Sequence, residues 1–202
     1  MTKKLALLAI GALFLAVVPG TAALAAFKDL PASHDAYPYV EKLVTKYGVI
    51  NGFPDNTYRG NKTLDRFEMS KALVLAMNYI ETSREVSLKD VASKETTFKD
   101  VKSTHWAYKY LMSLTSQYQI ITGYPDGTFK GKNTLNRNEV TQAVAKALAR
   151  VEAAVGAEVS TKEVVLKDLP PSHWAYPSAK KLIAAGIIEP FKDGTFKGKE
   201  PV

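Results

Sequence analysis

Gly123-Tyr124-Pro125-Asp126-Gly127-Thr128-Phe129 repeats an earlier phrase, Gly52-Phe53-Pro54-Asp55-Asn56-Thr57-Tyr58. A third version, Phe191-Lys192-Asp193-Gly194-Thr195-Phe196, has lost one residue upstream. Self-similarity of this kind decides the architecture before any single residue does. Working outward, the repetition extends both ways. Upstream, Phe27-Lys28-Asp29-Leu30 recurs as Phe98-Lys99-Asp100-Val101 and Leu166-Lys167-Asp168-Leu169. At fixed offsets from these follow His34, His105 and His173, then Leu43, Leu114 and Leu182. Downstream, Thr63-Leu64-Asp65-Arg66-Phe67-Glu68 pairs with Thr134-Leu135-Asn136-Arg137-Asn138-Glu139. In the third copy Pro201-Val202 aligns with Thr63-Leu64.

Each repeat predicts two helices around a short arm. The first helix opens near the histidine. Its apolar face is Ala36, Val40, Leu43, Val44 and Tyr47 in one copy, and Ala107, Leu111, Leu114 and Tyr118 in the next, at spacings of three and four. Gly48 and Gly186 stand where such a helix stops. The Asp-Asn and Asp-Gly steps between aromatic residues predict a hairpin-like arm, because Asn and Gly tolerate positive φ. The second helix starts at Asp65 or Asn136. Asp-x-x-Glu and Asn-x-x-Glu are capping boxes in outline: the cap side chain takes an orphan N–H, while Glu68 or Glu139 reaches back. Expected on the buried faces are Met69, Leu73, Ala76, Met77 and Ile80, then Val140, Val144, Ala147, Leu148 and Val151. Repeats of this size bury both helix faces only against neighbours. The third copy shows no second helix, so the missing packing is expected from a longer protein, of which this sequence is a part, or from another chain.

The organisation follows: 1–25 a secretory signal, 26–81 repeat 1, 82–97 a connector, 98–151 repeat 2, 152–165 a connector, and 166–202 a partial repeat 3. Lys3 and Lys4 precede an apolar run ending before Pro19 and Gly20, and Ala23-Leu24-Ala25 is a small-x-small cleavage site. The run is short for a membrane span of about 20 residues, and no later run approaches one. The expectation is a secreted chain with no transmembrane span after cleavage. The 202 residues carry 27 Lys+Arg against 20 Asp+Glu and no cysteine. That excludes disulfides, thiolate metal sites and a cysteine nucleophile. The charge of +7 hints at an anionic partner. Dispersed charge on an exported chain argues against nucleic acid. The sequence holds no G-x-S-x-G, phosphate loop or H-E-x-x-H, so the chain is expected to be non-catalytic and to need no metal or cofactor. The Asp-Asn-Thr and Asp-Gly-Thr turns do not continue as calcium loops.

The Phe-x-Asp-Val opening, the Ser-x-His-Trp-Ala step, the Gly-Tyr-Pro-Asp-Gly-Thr-Phe turn and the Arg-x-Glu helix start resemble the S-layer homology (SLH) domain. The stretch at 59–68 looks closest to SLH domains on outer-membrane proteins of diderm bacteria. The resemblance implies a mainly α fold of tandem helix–loop–helix repeats with hairpin-like arms in a pseudo-threefold arrangement, the third incomplete. It implies non-covalent attachment to the cell envelope, through an anionic secondary cell-wall polysaccharide or peptidoglycan. The family's Thr-Arg-Ala-Glu motif maps to Asp65-Arg66-Phe67-Glu68 and Asn136-Arg137-Asn138-Glu139, keeping Arg and Glu but not Thr and Ala.

Candidate site residues come from that motif and from two tryptophans. Arg66 and Arg137 fall at helix starts, where unpaired N–H groups and the helix dipole favour anions and a guanidinium adds a fork for a carboxylate. Glu68 and Glu139, with Asp65 and Asn136, are assigned to capping. Trp106 and Trp174 offer ring faces to a sugar, although a Trp beside a helix start also suits a core; repeat 1 has Asp35 there. The histidines read as structural, and Asp29, Asp100 and Asp168 as ties for the opening segment. A competing expectation is structural self-association without a glycan pocket.

Overall fold

The computed structural model describes residues 27–89, 96–159 and 162–202. The expected signal segment, 1–25, lies outside the described residues. Five helices follow in order: α1 (Tyr37–Glu41), α2 (Arg66–Arg84), α3 (Tyr108–Met112), α4 (Arg137–Val155) and α5 (Tyr176–Ala184). Among the described residues the only β-pairing is two isolated bridges, Asp65 with Thr134 and Asn136 with Pro201. The fold is therefore mainly α, with three helix-and-arm units.

The first helices of repeats 1 and 2 widen at their ends into π-helical turns, Lys42–Lys46 and Ser113–Gln117. There Tyr47 N–H reaches Lys42 O at 3.1 Å, and Tyr118 N–H reaches Ser113 O at 2.8 Å. Thr45 and Thr115 hydroxyls back-bond to Glu41 O and Leu111 O, each at 2.7 Å, which loosens the ordinary ladder. Repeat 3, one residue shorter between Leu182 and its arm, has no such turn in α5. A π-turn absorbs one extra residue, so the deletion and the plain α-helix are the same fact. All three units then turn through the left-handed region at matching places: Gly48 (φ 59°), Gln119 (φ 52°) and Gly186 (φ 68°).

The long helices run past the expected ends at 81 and 151, to Arg84 and Val155. Left-handed Glu85 and Gly156 terminate them. Glu81 and Glu152, placed in the last turn, accept the N–H of Leu88 (2.9 Å) and Val159 (2.8 Å) and fold the connectors back. The buried face of α2 holds Phe67, Met69, Ser70, Val74 and Met77, so Leu73, Ala76 and Ile80 lie only at its margin.

The main core joins α2, α3 and α4 around Met77, Leu111, Leu114, Tyr118, Phe129 and Leu135. Tyr118 Oη lies 2.8 Å from both Asn78 Oδ1 and Glu81 Oε2, two acceptors for its single hydroxyl proton. Burial, with Glu81 beside it, pushes that phenol well above its ordinary pKa. A smaller cluster joins α4 to α5 through Ala145, Leu148 and Leu182, and the buried Glu152 pairs with Lys181 there. The three units meet at one node. Leu135 N–H bonds Leu64 O (3.0 Å), Val202 N–H bonds Leu135 O (3.1 Å), and Leu64 N–H bonds Val202 O (2.5 Å). This closed triangle of equivalent positions is the pseudo-threefold axis.

Candidate functional site

The opening aspartates build the arms. Asp29 accepts from Tyr58 N–H and Arg59 N–H (both 2.7 Å), Asp100 from Phe129 and Lys130 (2.7 and 2.8 Å), and Asp168 from Phe196 and Lys197 (2.6 and 2.7 Å). The Tyr58 N–H does most to hold Asp29 below the usual carboxylate range. At Asp168 burial opposes, and the N–H groups of Phe196, Lys197 and Asp168 itself together hold it below the usual range. Within each arm Asp55, Asp126 or Asp193 accepts both the N–H and the hydroxyl of the threonine two residues on. The threonine hydroxyl, with Arg59 or Lys130 alongside, pulls Asp55 and Asp126 down to about 2. His34, His105 and His173 accept an N–H on Nδ1 from the alanine two residues on, at 3.1–3.2 Å. They are helix-entry residues.

Both capping boxes form. Asp65 Oδ1 accepts Glu68 N–H (2.8 Å) and Glu68 accepts Asp65 N–H (3.1 Å); Asn136 and Glu139 do the same at 3.0 and 2.9 Å. The remaining first-turn donors are also engaged. Arg66 N–H reaches Asn133 O (3.2 Å) and Phe67 N–H reaches Gly131 O (3.0 Å), while Arg137 and Asn138 reach Glu200 O (2.9 Å) and Gly198 O (2.8 Å). The expected open helix start is thus corrected: the next repeat's loop carbonyls fill it, and an anion finds no free backbone N–H there.

The arginines cross the same boundaries. Arg66 is 8% exposed. It donates Nε–H to Phe129 O (2.9 Å) and Nη2 to Thr122 O (3.1 Å), and its guanidinium lies 4.5 Å from the Phe129 ring and 5.0 Å from Tyr124. No ion pair holds its charge among the described residues. Arg137 sits between Phe196 (4.8 Å) and Phe191 (4.9 Å) and donates Nη2 to Glu189 O (2.7 Å). Its Nε is buried without an acceptor, and burial pushes its pKa below the ordinary value.

Trp106 and Trp174 are 48% and 52% exposed, so the core alternative for them does not hold. Each forms the wall of an inter-repeat groove. One groove, about 750 Å³, runs from Val49–Pro54 past Arg59, Lys62, Glu68 and Lys71 to Trp106. Its counterpart, about 370 Å³, brings Arg66 of repeat 1 together with Tyr124, Glu139, Gln142 and Lys146 of repeat 2 and Trp174 of repeat 3. Arg137 and Trp106 do not join this second groove. Lys71 and Lys146 escape sequence reading, although their positions, one turn beyond Glu68 and two turns beyond Glu139 on the same helix face, were available as a signal. Among the described residues no group of His, Asp and Glu stands placed to hold a metal, and no helix is long and apolar enough to cross a membrane.

The S-layer homology domain model matches residues 26–70, 97–141 and 165–202. A cellulosome-anchoring protein of Acetivibrio thermocellus is 30% identical over 167 residues, 80% of this chain and 32% of that protein. S-layer protein EA1 of Bacillus anthracis is 28% identical over 85% of this chain and 18% of its own length. Outer membrane protein SlpA of Thermus thermophilus is 41% identical over 40% of this chain and 8% of its own length. This chain therefore spans about a third or less of the curated relatives it matches.

Proposed function

This chain belongs to the S-layer homology family, and from that premise we propose that its repeats attach a protein non-covalently to the bacterial cell envelope, outside the cytoplasm, by holding an anionic wall polysaccharide or peptidoglycan-linked polymer. The observation that carries this reading is one groove lined by three repeats: Arg66 from the first, Lys146 from the second and Trp174 from the third. Two cations, Arg66 and Lys146, outnumber the one carboxylate of the lining, Glu139, which already accepts the Asn136 N–H, and this balance favours an acidic sugar. Stacking on Tyr124 and Phe129 holds the guanidinium in place, so little side-chain entropy is lost on binding. The exposed Trp174 ring gives an apolar face beside that charge, as saccharide and other small-ligand sites require. The Trp106 groove, with Lys62 and Lys71, supplies a second surface of the same kind, and Arg137 supports the last boundary. Binding needs no catalytic group.

The test is co-sedimentation of the chain with purified sacculi, before and after the attached polysaccharide is stripped. Binding is expected to vanish on stripping and to weaken about tenfold or more in Lys146→Ala/Trp174→Ala, the scale of losing one charged contact. Binding that survives stripping assigns peptidoglycan itself. A folded sample that sediments with neither preparation overturns the reading.

A further inference from the structure

We propose that Asn51 is a site of spontaneous deamidation, through a succinimide formed with Gly52, which places a new carboxylate in the wall of the Trp106 groove. The chain has three Asx-Gly steps, Asn51-Gly52, Asp126-Gly127 and Asp193-Gly194, and they differ in what holds them. In the two Asp-Gly turns the glycine N–H donates to Tyr124 O (3.0 Å) or Phe191 O (2.8 Å), and the aspartate accepts the hydroxyl of the next threonine. Attacking nitrogen and side chain are both engaged there. At Asn51-Gly52, among the described residues, no hydrogen bond takes up the Gly52 N–H or the Asn51 carboxamide. Asn51 is exposed and lies outside any helix, and an asparagine so placed is among the chemically labile residues of a protein. Asn56, in the same arm, is followed by Thr57, whose N–H is held by Asp55 at 3.1 Å.

Two further features act at the same step. A Cβ on Gly52 would lie 2.0 Å from the Phe27 ring, as one on Gly123 would lie 2.4 Å from Phe98, so packing demands glycine in both arms. The residue before it is elective: repeat 2 has Thr122 in the place of Asn51, and repeat 3 has Glu189. In those repeats an arginine clamps that residue's carbonyl, Arg66 on Thr122 O (3.1 Å) and Arg137 on Glu189 O (2.7 Å). Among the described residues Asn51 O has no such clamp, and a glycine nitrogen carries no side chain to obstruct its approach. The step balances without a catalyst. Gly52 N attacks Asn51 Cγ, its proton leaves with the carboxamide nitrogen as ammonia, and the succinimide closes. Water then opens the ring at either carbonyl, giving aspartate or isoaspartate. The groove sets Arg59, Lys62 and Lys71 against one carboxylate, Glu68, which Lys62 already pairs at 2.5 Å. A second carboxylate weakens the positive field of that groove. The modification is independent of the envelope reading; only its effect on sacculi binding rests on it.

The full folded chain is held for days at mildly alkaline pH, beside a sample unfolded in guanidinium chloride, and tryptic peptides are followed by mass spectrometry. The expected result is a gain of about 1 Da on the peptide 47–59, localised by fragmentation to Asn51 and not to Asn56. Its rate in the folded chain should stand within about tenfold of the unfolded rate, as for a segment the fold does not protect. Isoaspartate should accompany it at position 51 and stay absent at Asp126 and Asp193 while the chain is folded. Asn51→Thr, which copies repeat 2, should abolish the gain. A folded chain that keeps its amide while the unfolded one converts overturns the proposal; so does a gain that persists in Asn51→Thr. Fresh Asn51→Asp is expected to bind sacculi severalfold more weakly than the unmodified chain. Equal binding would overturn the part of the Trp106 groove in the envelope reading, while the mass gain alone decides the chemistry.

Discussion

The two boundaries between repeats share one backbone plan and differ in what fills it. At both, first-turn N–H groups of a long helix bond loop carbonyls of the next repeat, and an arginine reaches between two aromatic rings. At the first, Phe67 completes a dry stack and Arg66 satisfies two carbonyls. At the second, Asn138 leaves a cavity and Arg137 satisfies one carbonyl with its Nε buried and unpaired. The hydrogen-bonded frame, common to both, sets where the repeats sit. The side chains inside it decide whether a boundary is packed solid or keeps a cavity.

The widest gap between the two boundaries is expected at the filling residue. Phe67→Ala should cost about 3–5 kcal/mol in denaturant unfolding, because the cavity faces Gly131 and cannot collapse, whereas Asn138→Ala, which removes an orphan acceptor, should change stability by under about 1 kcal/mol. Equal losses would show that the second boundary is packed as tightly as the first. Next come the arginines. Arg66→Ala strands two carbonyl oxygens and should cost about 2–3 kcal/mol, against about 1 kcal/mol for Arg137→Ala. Thermal melts of both single variants and the double sharpen this, because the departure from additivity reads the coupling between the two boundaries.

The caps should not discriminate. Asp65→Ala and Asn136→Ala are each expected to lose about 1 kcal/mol, since both boxes have the same geometry; unequal losses would place part of the first cap's worth in the Lys132–Asp65 pair (3.2 Å). The smallest effect is electrostatic. Asp55 and Asp126 are held near 2, below an unfolded value of about 3.9. A depressed carboxylate stabilises above its unfolded pKa, and that contribution is lost as pH falls from about 4 to 2. Urea midpoints across that range should fall, and Asp126→Asn should flatten the slope. Both groups are exposed, so the change is modest.

Much of this was legible in the sequence because it is local. The capping boxes, the Asp-x-Thr turns and the histidine helix entries each involve residues within a few positions of one another. The family resemblance and the helical class followed from their repetition. The direction taken by Arg66 was not legible: its acceptors, Phe129 and Thr122, lie in the next repeat, and no local spacing encodes them. For the same reason the helix starts looked open when the loops of Gly131–Asn133 and Gly198–Glu200 close them. Gly131 reads as turn punctuation in one dimension, and its purpose, close approach by Phe67, exists only across the boundary. The tryptophans were ambiguous because helical spacing separates faces, not repeats. The missing residue in repeat 3 was visible, but its meaning required the π-turns of the other two.

The triangle of Leu64, Leu135 and Val202 has a mechanical consequence. Val202 donates to Leu135 and is hydrogen-bonded from Leu64, so tension applied at that residue divides between repeats 1 and 2 at once. Peeling repeat 3 away alone would require breaking both links together. Force carried through Val202 meets a junction in which backbone hydrogen bonds share the load in parallel, and parallel bonds must fail together where serial ones fail one at a time.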